Sequence, residues 1–421
     1  MKKWTSEAKQ QLQDCFDTTD WSVFEEAASN IHELTDTVTS YISFCEDACV
    51  PTKTFRTFPN NKPWFTPKLR HARQAKEDAH RSGDRALYRK ARNALTREIR
   101  VAKRLYSEKL KSSFSANDSS SVWRGLQEIT GYKKRPTPPT EVSKALADEL
   151  NTFYCRFEKD HLTLATSPVS PPDSSCSSIN GTLPPIADTA SPSSSTPGSQ
   201  LEINVGEVCR LFQRLKTRKA PGPDGVSPSC LRVCAEQLAP IFTQLFNKSL
   251  ELSEVPTCFK RSTIIPVPKK PTITGLNDYR PVALTSVVMK SFERLVLNHL
   301  KTLTNSRLDP LQFAYRANRS VDDAVNLGLH YILQHLDRPG TYARMLFVDF
   351  SSAFNTIVPH TLCSKLSQLS VPTDLCNWIY SFLTNRSQQV RMGHVTSDTR
   401  HTNTGAPQGC VLSPLLFSLY T

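Results

Sequence analysis

"MLFVDFSSAF", residues 345–354, is an apolar burst that runs onto one carboxylate, Asp349, and resumes with two serines, an alanine and a phenylalanine. Met345 to Val348 are four large apolar residues in a row, which read as a buried strand. An unpaired charge in such a place costs several kcal/mol, so a carboxylate at the strand's tip implies a cation, a metal or a mouth of solvent beside it. The second half of the chain is read around that strand, as a sheet that delivers an acid to one end.

Composition limits what can surround it. A chain of 421 residues is long enough for two or three domains and at least one sizeable core. Hydrophobic residues make up 38% and the mean hydropathy is −0.39, the balance of a water-soluble chain. No apolar run approaches the roughly 18 to 20 residues that cross a bilayer, and Met1-Lys-Lys-Trp-Thr-Ser-Glu leads into no signal-peptide apolar region. No membrane partner is expected, and the expected location is a cytoplasmic ribonucleoprotein or the nucleus. The net charge of +13 favours an anionic partner, nucleic acid before membrane. Nearly all of the excess is local: residues 62–111 hold 16 Lys/Arg against 5 Asp/Glu. The twelve cysteines read as reduced thiols. Cys45-x-x-x-Cys49 and Cys230-x-x-x-Cys234 lack a second Cys/His pair at zinc-site spacing.

Four regions follow. Residues 1–60 are expected as a helical leader, with Phe16, Trp21, Phe24, Ile31, Val38, Ile42 and Phe44 at near-helical spacing. Residues 61–165 form a basic helical region: Lys68 to Phe114 contains no proline and only Gly83 as an interruption, and a further helix pair is expected within 121–157. The basic stretch reads either as a solvated face or coiled-coil arm, or as a nucleic-acid surface. The one-sign excess, the interleaved Tyr88 and Tyr106, and Trp64 at its start favour the second, with Arg85, Arg89, Arg92 and Lys103 as candidate phosphate contacts. Residues 166–200, rich in Ser, Pro and Thr, cannot bury enough apolar surface to offset chain entropy and are expected as a disordered linker. From 201 to 421 short strands and helices alternate, as in an α+β domain.

Six ordered blocks in that last region resemble the reverse transcriptases of non-long-terminal-repeat (LINE-type) retrotransposons: "APGPDGV", "IIPVPKK", "DYRPVALTS", "QFAYRANRS", "FVDFSSAFNTI" and "TGAPQGCVLSPLLFSLYT". Residues 1–160 look like the segment between endonuclease and polymerase in such elements. The resemblance implies a partial right-hand polymerase, fingers and an incomplete palm, preceded by the mostly helical basic region. It implies templated addition of dNTPs to a DNA primer on an RNA template.

Nucleotide addition of this kind uses two Mg²⁺ ions roughly 3.5 to 4 Å apart, held by hard oxygen ligands. Asp349 fits that post, and the resemblance makes the main-chain carbonyl of Phe350 a second ligand. It also makes Phe354 the aromatic floor under the sugar, against the plain alternative of a core ring. Arg280 resembles the fingers arginine that clasps the triphosphate, with Lys269 assisting or Lys270 in its place. Gln408 and Gly409 belong to a tight turn against the nucleotide, and Ser413 is expected to cap the helix after it. Gln312, Tyr315 and Arg316 resemble a segment that touches template or nucleotide.

Asp322-Asp323 mimic the paired aspartates of the family's next catalytic block, but they precede Asp349 and open a helix behind Ser320, where carboxylates complement the helix dipole. The block itself, aromatic-Ala-Asp-Asp, follows the glutamine turn in the family and is not found before Thr421. One carboxylate holds at most a single ion weakly, so the expectation is a truncated polymerase that does not extend a primer. The strand at 345–348 is expected to expose an unpaired, aggregation-prone edge. The alternative is a non-catalytic nucleic-acid-binding remnant.

Overall fold

The computed structural model describes residues 2–52, 62, 64–115, 123, 125–127, 142–158, 201–349 and 352–421, apart from the side chains of residues 113 and 114. The expected linker, Phe350 and, within the expected helix pair, residues 121, 122, 124 and 128–141 lie outside the described residues. The chain divides into two compact units: residues 52–138 with 270–273, and residues 2–51, 139–269 and 274–421.

The first unit is a helical hairpin. Helices α4 (Pro67–Arg81) and α5 (Arg85–Ser115) replace the single basic stretch read from the sequence. Gly83 is more than an interruption there: its φ of +72° turns the chain back, a conformation open to glycine. Thr66 caps α4, with Pro67 at its first position. Leu69, Ala79 and Ala102 are the buried side chains, while Arg85, Arg89, Arg92 and Lys103 stay exposed.

The second unit holds the main core. Helices α1 (Ser6–Asp17), α2 (Ser22–Ala27) and α3 (Ile31–Cys49) are part of it, so the leader's helices pack with residues of the carboxyl-terminal half. Helix α3 buries Ile31, Leu34, Val38, Ile42 and Cys45 along one stripe, and Phe44, counted from sequence among the apolar positions, falls outside it and is 68% exposed. Helix α6 (Lys144–Tyr154) follows, then α7 (Val205–Gln213), α8 (Pro228–Val233), α9 (Ala235–Glu251) and the short α10 (Thr257–Lys260). Helices α11 (Val287–Thr304), α13 (Pro359–Gln368) and α14 (Thr373–Leu383) complete the packing. At the centre Phe246 stacks on Phe292 at 4.3 Å, Trp378 meets Phe292 edge-on at 5.0 Å, and the Trp378 indole donates to Ser249 Oγ at 3.0 Å.

A small mixed sheet lies in the same unit. Strand β1 (Ser262–Pro268) pairs antiparallel with β2 (Tyr279–Leu284) and parallel with β3 (Arg386–Met392); β3 also pairs with β4 (Val395–Thr396) and β5 (Arg400–Thr402). Ile264 lies opposite Ala283 and Val267 opposite Arg280, so Arg280 and Pro281 belong to opposite faces. The α+β class stands, with β1 and β3 parallel and the other pairs antiparallel.

Two expectations fail. Residues 341–349 form no strand: Leu346 is 87%, Phe347 83% and Val348 68% exposed. All five strands pair among themselves, and among the described residues none runs beside this segment; an extended chain with no ladder partner leaves its amides to water. Helix α12 (Val321–Leu336) has the expected amphipathic pattern, yet Val321, Val325, Leu329 and Leu333 are each at least half exposed. The Asp322-Asp323 reading holds: Ser320 caps α12, and Asp323 returns its carboxylate to the Ser320 amide at 2.8 Å. Those hydrogen bonds hold the Asp323 carboxyl below the usual range.

Candidate functional site

Gly405 to Gly409 form the turn around which the site is built. A side chain at Gly405, where φ is +83°, would lie 2.8 Å from Asn355 Cα and 3.0 Å from the Phe354 carbonyl. The missing Cβ lets two backbones touch: Gly405 N donates to Ile357 O and Ala406 N to Phe354 O, both at 2.7 Å. Gly409, at φ +110°, packs the turn against β2 by the same device, since a Cβ there would lie 3.0 Å from the Ala283 carbonyl oxygen. Gln408 is half-buried between these two anchors.

Helix α15 (Ser413–Tyr420) follows the turn. Ser413 does not cap it: Ser413 is its first residue, and its hydroxyl donates back to Pro407 O at 2.9 Å. The cap is Glu293, from α11, whose Oε2 accepts from Val411 N at 2.5 Å and Leu412 N at 3.0 Å. Glu293 is fully buried, and desolvation raises its pKa against the opposing pull of those two amides. Nothing in "SFERLV" separates this glutamate from a solvated helical one, because its partners lie more than a hundred residues away.

Aromatic contacts gather the next group. Phe354 is half-buried, 5.2 Å from Phe417 of α15 and 6.3 Å from Tyr315. Gln312 Nε2 donates to Ser418 Oγ at 3.4 Å and to Ala314 O at 3.3 Å. Arg316 spends Nη1 on Asp309 O and Gln312 O, so that nitrogen shapes the loop. Gln312, Tyr315, Phe354 and the glutamine turn are therefore brought together around α15.

The charged candidates are not. Asp349 is exposed and has no hydrogen bond or ion pair among the described residues. Arg280 is exposed on the β2 face opposite Pro281, and Lys269 and Lys270 are exposed as well. No hydrogen bond or ion pair joins Arg280, Asp349 and Gln408 to one another among the described residues. Among those residues no three His, Cys, Asp or Glu side chains stand close enough to share a metal ion. One exposed carboxylate does not fit a pair of Mg²⁺ ions.

In the first unit Arg85, Arg89 and Arg92 are exposed on α5 and form no ion pair among the described residues. Lys103 Nζ lies 5.1 Å from the centroid of the Trp64 ring.

Residues 267–421, just over a third of the chain, match the family model described as "Reverse transcriptase (RNA-dependent DNA polymerase)". The chain is 25% identical over 363 residues to the RNA-directed DNA polymerase from mobile element jockey of Drosophila melanogaster, covering 84% of this chain and 38% of that protein. It is 30% identical over 223 residues to the probable RNA-directed DNA polymerase from transposon BS of the same fly, covering 52% and 24%. The match to the probable polymerase from transposon X-element is also 30%, over 219 residues, covering 51% and 24%. The chain thus spans well under half the length of these relatives.

Proposed function

We propose that the chain carries the nucleotide- and template-contacting elements of an RNA-directed DNA polymerase, with fingers and part of a palm of the right-hand type. The observation that carries this reading is the joining of the glutamine turn, Phe354 and Tyr315 around α15, within the family-matched residues. In this reading Gln408 and Gly409 face the nucleotide, and Phe354 presents its ring to the sugar and disfavours a 2′-hydroxyl. Gln312, Tyr315 and Arg316 border the template. Arg280, with Lys269 or Lys270, meets the triphosphate once that surface is engaged. Asp349 and the Phe350 carbonyl would hold at most one ion, and weakly. Residues 1–421 alone, with one carboxylate at that post, do not extend a primer.

A second reading, nucleic-acid binding without catalysis, is favoured by the exposed, unpaired Arg85, Arg89 and Arg92.

The test is photocrosslinking of a 5-iodo-dUTP probe to the chain on an RNA template with a DNA primer. Adducts are expected in peptides spanning 279–284, 312–316, 353–357 and 405–410, with labelling by the corresponding ribonucleotide restored in Phe354→Ala. Labelling confined to residues 67–115 supports the second reading alone, and primer extension abolished by Asp349→Ala refutes the proposed inactivity.

A further inference from the structure

A cavity of about 70 Å³ opens beside the glutamine turn, and two residues that line it carry buried donors with no partner among the described residues. One wall is the end of α6 and the turn after it, with Tyr154, Cys155 and Glu158. Facing them are Arg386 of β3 and the turn residues Pro407 and Gln408. Arg386 is 3% exposed; its Nη1 donates to Phe382 O at 2.7 Å and its guanidinium lies 4.9 Å from the Phe382 ring centroid. Nη2, and the hydroxyl of Tyr154 at 8% exposure, have no partner among the described residues. Each such donor costs about 1–3 kcal/mol when left unmade, and more when charged.

Charges of both signs surround the cavity. Lys260 is buried and donates to Ser381 Oγ at 3.1 Å; its amine is pushed down to about 8, first by burial and then by the field of Arg386. Arg400 acts on Cys155 from the rim. Against these three cations stand three carboxylates with bonds elsewhere: Glu254, whose field acts on Lys260 and which bonds to His32; Glu293, on Val411 and Leu412; and Glu158, both of whose oxygens accept from Asn403 N at 2.9 Å.

We propose that this cavity is a subsite for one phosphate group of a nucleic-acid strand, received by Arg386 Nη2 and the Tyr154 hydroxyl. A phosphate oxygen suits both donors, since one is a cationic fork arm and the other a rotatable O–H. Backbone phosphates are where a protein fixes the register of a strand. Naming a nucleic acid as the carrier rests on the polymerase reading; the cavity and its unmet donors do not. The subsite would make residues 154–158, outside the family-matched segment, a working wall of the site.

Cys155 lines the same cavity and is half-buried, so its thiol reports occupancy. The reporter reaction is alkylation by N-ethylmaleimide: the Cys155 thiolate adds across the maleimide double bond, and the resulting carbanion takes a proton from water. Burial pushes that thiol up to about 11, so labelling of the full chain is run near about pH 9 and read by peptide mass spectrometry, with Cys363 as internal control. The arms are a single-stranded RNA of about 20 nucleotides, longer than one binding site, then a dNTP, then inorganic phosphate.

RNA is expected to slow labelling of Cys155 about fivefold at saturation while Cys363 is unaffected. Tyr154→Phe, which removes one oxygen and keeps the ring, and Arg386→Gln should each raise the RNA concentration for half-protection about 3- to 10-fold. Protection by the dNTP but not RNA overturns the choice of carrier. RNA that binds by fluorescence anisotropy without protecting Cys155, or protection unchanged in both variants, refutes the subsite and leaves the polymerase reading standing. No RNA binding in any arm overturns both.

Discussion

Replacing Asp224 by Asn should change the shape of the stability–pH curve of the second unit. Asp224 lies in the loop "KAPGPDGVSP", whose Gly222 packs so closely that a Cβ there would stand 2.6 Å from Ser286 Cα. The residue as a whole is half-buried, yet its Oδ1 is out of reach of solvent and has no partner among the described residues, while Oδ2 accepts from Ser286 Oγ at 2.5 Å. Desolvation lifts the carboxyl from 3.8 to about 6, outweighing hydrogen bonds from Ser286, from Val226 and from its own backbone, and the field of Lys290. At about 1.4 kcal/mol per unit, a lift of about two units corresponds to about 3 kcal/mol.

Because the folded pKa lies above the unfolded one, the folded protein holds a proton between about pH 4 and 6 that the unfolded chain releases. The stabilisation is full below that window and lost as pH rises through about 6. Asp224→Asn cannot release that proton and keeps an amide oxygen for Ser286. The difference between wild type and variant, from urea unfolding followed by tryptophan fluorescence, should therefore move in the variant's favour by up to about 3 kcal/mol from pH 4 to 7.5. That is a midpoint shift of roughly 1 M urea at an m-value of about 3 kcal/mol/M. Parallel curves across that range would refute the account of a buried, reluctant carboxylate.

Three further outcomes follow from packing and charge. Gly405→Ala should cost more than about 2 kcal/mol, because its side chain meets backbone at 2.8 Å, whereas Gly393→Ala, at φ +60° with nothing within 4 Å, should cost about 1 kcal/mol; thermal unfolding compares them. Cys15 and Cys45 place their sulfurs 3.6 Å apart, so hydrogen peroxide should couple them, two thiols and one peroxide giving a disulfide and two waters; a two-hydrogen mass loss absent in Cys45→Ser checks it. Since burial lifts the Cys45 thiol to about 11, coupling should quicken as pH rises. Replacing Arg85, Arg89, Arg92 and Lys103 together by Ala should weaken RNA binding and flatten its salt dependence, and an unchanged slope would count against the basic hairpin as a phosphate surface.

The positions of several elements were legible because their causes are local. Ser320 ahead of Asp322-Asp323 spells a helix start, and Gly405 and Gly409 a turn needing positive φ; each depends on residues within a few positions. Of the six ordered blocks, four lie wholly within the family-matched residues 267–421, "IIPVPKK" straddles the start of that segment and "APGPDGV" precedes it. The failures share the opposite cause. A run such as Met345–Val348 states that burial would be favourable, but only a neighbouring strand makes it buried, and among the described residues it has none.

The sequence by itself determined the α+β class, the family of the second half, the basic character of α4 and α5, and the helical role of Asp322-Asp323. Tertiary structure alone decided that Glu293 caps α15, that Ser413 turns back to Pro407, and that Arg386 and Tyr154 share a cavity with Gln408. Caps, turns and charge runs act between neighbours along the chain. Buried polar groups acquire their roles only where folding sets a distant partner, or none, against them.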